Sequence, residues 1–272
     1  MATSINTNYG AAVALQNLNA TNAMLERTQN RVSTGLKVGS AKDNGAIYAI
    51  ATTQRANMGA MDAVKNSLQR GQSIVDVALA AGDTITAALE EMKSLAVSIQ
   101  SSVAGSAAET SYLADFNALG KEIDAALKGA TFDGVNLWNT TTATNITTNV
   151  SGGTYQIGFG TTDKAAAAPI TAVSAGTAAR AGATTAIVDT AIATITADLA
   201  TIGTQSKSVG RQLTFVNKLQ DSTEAGIGNL VDADLAKESA KLTALQTKQQ
   251  LGVQALSIAN QGSSILLSLF RN

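Results

Sequence analysis

Apolar residues recur along this chain in alternating steps of three and four, the spacing of a helix that buries a single stripe. From Ile47 the stripe runs through Ile50, Gln54, Asn57, Met61, Val64, Leu68, Gly71, Val75, Ala78, Gly82, Ile85, Leu89, Met92, Ala96 and Ile99. Twelve of these sixteen positions are apolar, two are glycine and two are polar, against 45% apolar residues in the whole chain. The spacing predicts one helix of about 55 residues with a coiled-coil seam.

The second half repeats the pattern. Val188, Ile192, Ile195, Leu199, Ile202, Ser206, Val209, Leu213, Val216, Gln220, Thr223, Ile227 and Leu230 keep one register. A second register starts at Val231 and continues through Leu235, Glu238, Leu242, Leu245, Gln249, Gly252, Leu256, Ala259, Ser263, Leu266 and Phe270. The one-residue slip at Leu230–Val231 predicts a break between two helices. The N-terminal segment carries a weaker stripe: Leu15, Leu18, Leu25 and Val32, interrupted by Asn22 and Gln29. Between the halves the period disappears. Asp133-Gly134 is a tight-turn pair, Asn139–Asn149 is rich in Thr and Asn, and Thr154–Phe159 alternates like a short strand. Residues 165–182 read as a small-residue loop around Pro169, the one proline of the chain. The fold class expected is mainly α: long N- and C-terminal helices packed as an antiparallel coiled-coil rod, with a small central β-hairpin and loop region and no large outer domain.

Composition narrows what such helices do. Aromatic residues make up 4% and charged residues 14%, with a formal net charge of −1. A nucleic-acid partner is not expected, because no cationic excess is present. Cys and His are both absent, which removes thiol and imidazole nucleophiles, imidazole bases, disulfides and the commonest metal ligands. Glu90 and Glu91 are adjacent, so on a helix they point about 100° apart and do not converge on one substrate. Gly35, Gly39 and Gly45 lack the Lys-Ser/Thr of a phosphate loop. No enzyme, no cofactor and no metal are expected. No membrane span is expected from the dense apolar run Ile265–Phe270, which is too short. The opening Met-Ala-Thr-Ser-Ile has no basic segment followed by an apolar one, so export is expected without a Sec-type signal peptide. The terminal stripes contain Gln249, Gly252 and Ser263 and are thin for their length. They are expected to complete their burial against neighbouring subunits, and head-to-tail contacts that do not close give an open helical polymer.

Arg31–Ala51 reads Arg-Val-Ser-Thr-Gly-Leu-Lys-Val-Gly-Ser-Ala-Lys-Asp-Asn-Gly-Ala-Ile-Tyr-Ala-Ile-Ala and resembles the N-terminal signature of bacterial flagellins. Ser4–Asn8, Asp232–Ser239, Gln249–Asn260 and Ile265–Phe270 resemble the same family, in family order. The resemblance covers about residues 1–138 and 185–272, and is greatest to the short flagellins of alphaproteobacteria. It implies a structural subunit of the extracellular filament used for swimming, with a hook–filament junction protein or another secreted coiled-coil assembly protein as the alternative. It also implies three layers: an inner terminal coiled coil of residues 1–33 with 232–272, a helical rod layer of 34–138 with 183–231 in which 34–43 is a spoke, and a surface hairpin and loop region of 139–182. Implied partners are other copies of the chain, paralogous flagellins, the flagellar export apparatus and an export chaperone, and the filament cap and hook-junction proteins.

The candidate site is therefore a set of surfaces. Leu15, Leu18, Leu25, Leu242, Leu245, Leu256, Leu266 and Phe270 are the candidate assembly residues. Gly35 and Gly39 are expected to give the spoke its backbone freedom, and Asp43 to cap the helix that follows. Trp138 and Phe132 are expected to anchor the hairpin. Thr140, Thr141, Thr142, Thr144, Thr147, Thr148 and Ser151 are the O-glycosylation candidates that the resemblance suggests.

Overall fold

The structure, a computed structural model, describes residues 8–138, 143–159 and 167–269. Among these residues, six helices and one two-stranded sheet follow in the order α1 (Tyr9–Thr34), α2 (Gly45–Ser101), α3 (Ala107–Gly129), β1 (Thr144–Thr147), β2 (Thr154–Ile157), α4 (Ala167–Ser174), α5 (Thr185–Val231) and α6 (Leu235–Leu269). The break expected at Leu230–Val231 is there, one residue on. Contacts divide the chain into two compact units: the residues up to Ala56 together with those from Ser222 onward, and Asn57–Asp221.

In the second unit α2 and α5 run antiparallel. Asp62 meets Gln220, Gln72 meets Ser206 and Lys93 meets Asp189, so one number climbs as the other falls. The seam read from the sequence is observed from Met61 onward, whereas its first turns are open, with Ile50 half exposed. Every stripe position of α2 from Met61 to Ile99 is buried, as are Val188, Ile195, Ile202, Val209 and Val216 of α5. A two-helix seam leaves its flanks open, and two different covers close them. Phe116 and Ile123 of α3, with Ile170 and Val173 of α4, cover α2 from Ile85 to Ile99. Leu137 and the hairpin residues Ile146 and Ile157 cover α2 from Met61 to Ala78.

The glycines within the seam explain how the hairpin seats. A Cβ on Gly71 would lie 2.7 Å from Ile146, and one on Gly82 would collide with Leu199 and crowd Trp138 at 3.1 Å. Trp138 donates its indole N–H to the Ala78 carbonyl at 2.8 Å and packs against Phe159 with ring centroids 5.6 Å apart. Gln205 grips the strand end from α5, accepting from the Gly158 N–H at 2.8 Å and donating to its carbonyl at 2.9 Å. Trp138 thus anchors the hairpin as expected, whereas Phe132 stays exposed. Asp133 and Gly134 both have positive φ (50° and 74°) between bridged Phe132 and Val135, the two-residue turn that the Asp-Gly pair predicts. Strand β1 lies in the Thr/Asn-rich stretch where the sequence showed no alternation. Its pairing with β2, Thr144 to Ile157 through Thr147 to Thr154, supplies what its composition does not.

Residues 165–182 are not all loop. α4 occupies 167–174 and buries Ile170 and Val173. Pro169 stands in its first turn, where the missing N–H has no acceptor within the helix, so the proline does not break it. α4 lies so close to α3 that a Cβ on Gly120 would sit 2.5 Å from the Val173 carbonyl oxygen.

The distal end of this unit is tied by polar groups. Ser106 caps α3 by accepting from Glu109 N–H, and the Glu109 carboxylate accepts from Gly105 N–H and pairs with Arg180 at 3.1 Å. Arg180 also donates to the Gln100 and Ser102 carbonyls. By length and hydropathy alone, α5 could cross a membrane. Its apolar stripe, however, faces α2 and the covers just described.

Candidate assembly surface

The terminal helices α1 and α6 pair within the first unit. Asn8 caps α1, its side-chain oxygen accepting from Ala11 N–H at 3.0 Å, while its amide donates to Ala259 at 2.8 Å. Leu18 then lies against Gly252, Gln249 donates to Asn22 at 2.8 Å, and Arg31 pairs with Glu238 at 3.1 Å. The pair is antiparallel. Its ion pair uses one guanidinium N–H and one carboxylate oxygen, which is weaker than a two-pronged fork.

The seam is thin. In α1 only Thr21 and Thr28 are buried, and in α6 only Leu245 is, among the described side chains. The inward row is Ala14, Leu18, Thr21, Leu25, Thr28 and Val32; the row of Leu15, Asn22 and Gln29 beside it is exposed. The larger Leu15 drew the sequence reading one position aside, and the small Thr21 and Thr28 were missed because threonine scores as polar. Thr21 hides that polarity by donating its hydroxyl to the Asn17 carbonyl at 2.8 Å.

Among the candidate assembly residues, Leu18, Leu25, Leu242 and Leu256 are half-buried, Leu245 is buried and Leu15 is 48% exposed. Leu266 belongs to α6 but its side chain, like all of Phe270, lies outside the described residues. Other large apolar side chains that the sequence reading did not single out also stand free. Leu251 is 59% exposed and Ile258 70%, and Tyr9, Val13, Met24 and Val253 join them. Their signal was present as apolar residues off the heptad stripe. Part of this surface forms a groove of about 420 Å³ lined by Val13, Ala14, Leu18, Leu251, Gly252 and Ala255.

The connector after α1 is built by backbone pairing. Gly35 has φ 73° and closes α1 by donating its N–H to the Arg31 carbonyl, the left-handed cap that glycine favours. Its carbonyl accepts from Ala233, and Lys37 and Val38 N–H both donate to Val231, so the connector and the α5–α6 junction hold each other. Gly39 is not in the left-handed region and gives its N–H to the Asp43 carboxylate at 3.2 Å. The expected cap residue is displaced by one. Asn44 accepts from Ile47 N–H at 3.1 Å and caps α2, whereas Asp43 turns back onto the loop. There it takes the Ser40 hydroxyl and backbone N–H, both at 3.0 Å, and these bonds, the Ser40 hydroxyl foremost, hold its carboxyl below the usual range. Asp234 caps α6 in the same way, accepting from Lys237 N–H at 3.1 Å.

The chain has therefore one closed core and one helix pair whose apolar residues are largely uncovered. Two family models match it in order: the bacterial flagellin N-terminal helical region over residues 5–143 and the bacterial flagellin C-terminal helical region over residues 185–270. The chain belongs to the bacterial flagellin family. It is 53% identical over 98% of both chains to flagellin FljM of Caulobacter vibrioides, and 40% identical to a flagellin of Brucella melitensis over 98% of this chain and 99% of that one. Flagellin C of Rhizobium meliloti is 35% identical over 99% of each. As a flagellin, the chain is a structural subunit of the extracellular filament of the bacterial flagellum, and these relatives give no support to the hook-junction alternative.

The glycosylation candidates fall in different settings. Ser151 is exposed, Thr144 and Thr147 are half-buried in β1, and Thr148 donates its hydroxyl to the Gly153 carbonyl at 3.1 Å. Thr140, Thr141 and Thr142 lie outside the described residues.

Proposed function

We propose that in this flagellin the pair α1/α6 is the surface through which subunits polymerise, forming the inner layer, while the residues from 34 to 138 and 183 to 231 form the rod layer around it. The observation that carries this reading is the uncovered apolar surface of the pair: Leu15, Leu251, Val253 and Ile258 are each about half or more exposed. Exposed large apolar side chains in this number on one helix pair are the kind of surface that a contact with another protein covers. Partners follow from the same reading. Copies of the chain, together with paralogous flagellins, make the open helical polymer, and the filament cap and hook-junction proteins bound it at its two ends. The export apparatus and an export chaperone handle the chain before assembly, when an apolar helix pair would otherwise associate prematurely. Ser151 is the most accessible of the described glycosylation candidates, and an intact mass equal to that of the bare sequence would remove modification from the proposal.

The test is a charge in the uncovered surface. Ile258→Asp is expected to leave the circular dichroism and melting of the monomer unchanged and to abolish polymerisation onto sheared filament seeds. Filaments formed at the native concentration would refute the reading.

A further inference from the structure

The second compact unit carries two stripes of charge that form no ion pair among the described residues. On α2, between Arg70 and Lys93, every charged residue is a carboxylate, and Asp76, Asp83 and Glu90 recur at steps of seven. Each follows a seam residue (Val75, Gly82 and Leu89) by one position, so the three stand in a row beside the seam, and all three are exposed. On α5, between Asp198 and Asp221, every charged residue is a base, and Lys207, Arg211 and Lys218 fall at steps of four and seven on one exposed face. Phe215 stands in the same face and is 58% exposed, the largest uncovered side chain of the helix. None of these six charged groups forms an ion pair among the described residues. Asp76 alone receives a hydrogen bond, from Gln72 on its own helix.

We propose that the basic, Phe215-centred stripe of α5 docks on the acidic stripe of α2 of a second copy of this chain. The proposal rests on the filament reading above, and adds a lateral contact through a part of the molecule that already has a closed core. Two observations select another copy as the occupant. The stripes are opposite in sign and comparable in extent: Asp76 to Glu90 rises about 21 Å along α2 and Lys207 to Lys218 about 16 Å along α5, each beside a seam of coiled-coil period. A protein that carries both halves of a complementary pair on different faces makes a heterologous contact with its own kind, and such a contact repeats without closing on a pair. Charge sets the register, since an offset toward either end of the acidic run brings the bases toward Arg70 or Lys93, and Phe215 supplies apolar area at the centre of the basic row.

The experiment is a charge swap on the full-length chain, read as the critical concentration for growth on sheared filament seeds at low salt. The α5 reversal is Lys207→Glu, Arg211→Glu and Lys218→Glu; the α2 reversal is Asp76→Lys, Asp83→Lys and Glu90→Lys. All six positions are exposed, so the monomers are expected to melt as the native chain does. Each reversal alone is expected to raise the critical concentration at least about ten-fold, and the protein carrying both to recover most of that loss. The differences are expected to shrink in 1 M salt, where screening acts within about 3 Å. Single reversals that assemble like the native chain would overturn the proposal. So would a combined variant no better than the worse single one, since the basic stripe would then meet something other than the acidic stripe. If native monomer fails to extend seeds at all, the filament reading falls first; if it extends them and the swaps behave independently, only this docking falls.

Discussion

The two compact units of this flagellin are made of the same material and finished differently. Both pair long antiparallel helices through a three–four stripe. In the Asn57–Asp221 unit the stripe is covered: α3 and α4 close one stretch, the hairpin closes the other, and Leu68, Ile85, Leu89, Met92 and Ile99 lose all contact with solvent. In the terminal unit α1 and α6 pair with each other, Thr21 and Thr28 sit where large side chains would be needed, and Leu251 and Ile258 face outward among the described residues. A covered seam stabilises the monomer that contains it. An uncovered one holds its hydrophobic free energy in reserve for a contact between molecules. The difference separates what keeps the subunit folded from what joins it to the next.

The comparison is most sharply tested by asking where a substitution is felt. The largest effect expected is the all-or-none loss of filaments from Ile258→Asp with no change in monomer melting. Next, Leu89→Ala in the closed core is expected to lower monomer stability by about 3 kcal/mol, measured by urea unfolding, because it leaves a cavity among packed neighbours. The matching change in the open pair, Leu251→Ala, is expected to stay within about 0.5 kcal/mol in the monomer while raising the critical concentration. Equal monomer effects from the two leucines would break the distinction between the units.

A smaller effect is expected at the approach of α4 to α3. Gly120→Ala places a methyl group 2.5 Å from the Val173 carbonyl, a backbone atom that cannot swing away. It is expected to cost about 1–2 kcal/mol through displacement of α4, read in the same unfolding experiment. Amide exchange in the free subunit is expected to follow the same division, with α1 and α6 exchanging faster than the buried part of α2 and gaining protection on polymerisation.

The smallest effect concerns acid. Gly105 N–H and then Arg180 hold the Glu109 carboxyl below its ordinary value of 4.5. A depressed carboxyl stabilises the fold fully above its unfolded-state value and loses that contribution as pH falls through the lower folded-state value. Glu109→Gln is therefore expected to melt below the native chain at neutral pH and to converge with it in acid. A gap that persists at low pH would show that the ion pair is not what holds the α2–α3 turn.

Much of this was legible in the sequence, and specific residues show where legibility ended. The α2 stripe from Met61 to Ile99 was right at every position because a long period averages over single exceptions such as Gly71 and Gly82. The α5–α6 break was readable because a one-residue slip moves a whole stripe. α4 was hidden: eight residues are too few to show a period, and a proline argues against helix unless it is known to stand in the first turn. The sequence points to Asp43 as the cap of α2, whereas Asn44 does the capping. Adjacent Asp and Asn are equally good caps, and only the Ser40 turn decides which is free to serve. At the assembly surface, a stripe shows which residues are apolar and not whether another element of the same chain covers them.

The sequence by itself determined the long helices, the break between α5 and α6, the Asp-Gly turn, the absence of thiol and imidazole chemistry, and the family. These follow from local rules: periodicity, turn chemistry and inventory. The tertiary structure alone decided that the hairpin and α3–α4 cover the α2/α5 seam, and that the α1/α6 row shifts inward onto Thr21 and Thr28. Burial depends on which elements meet in space, and residues as far apart as Ile146 and Gly71, or Gly120 and Val173, meet only once the chain has folded.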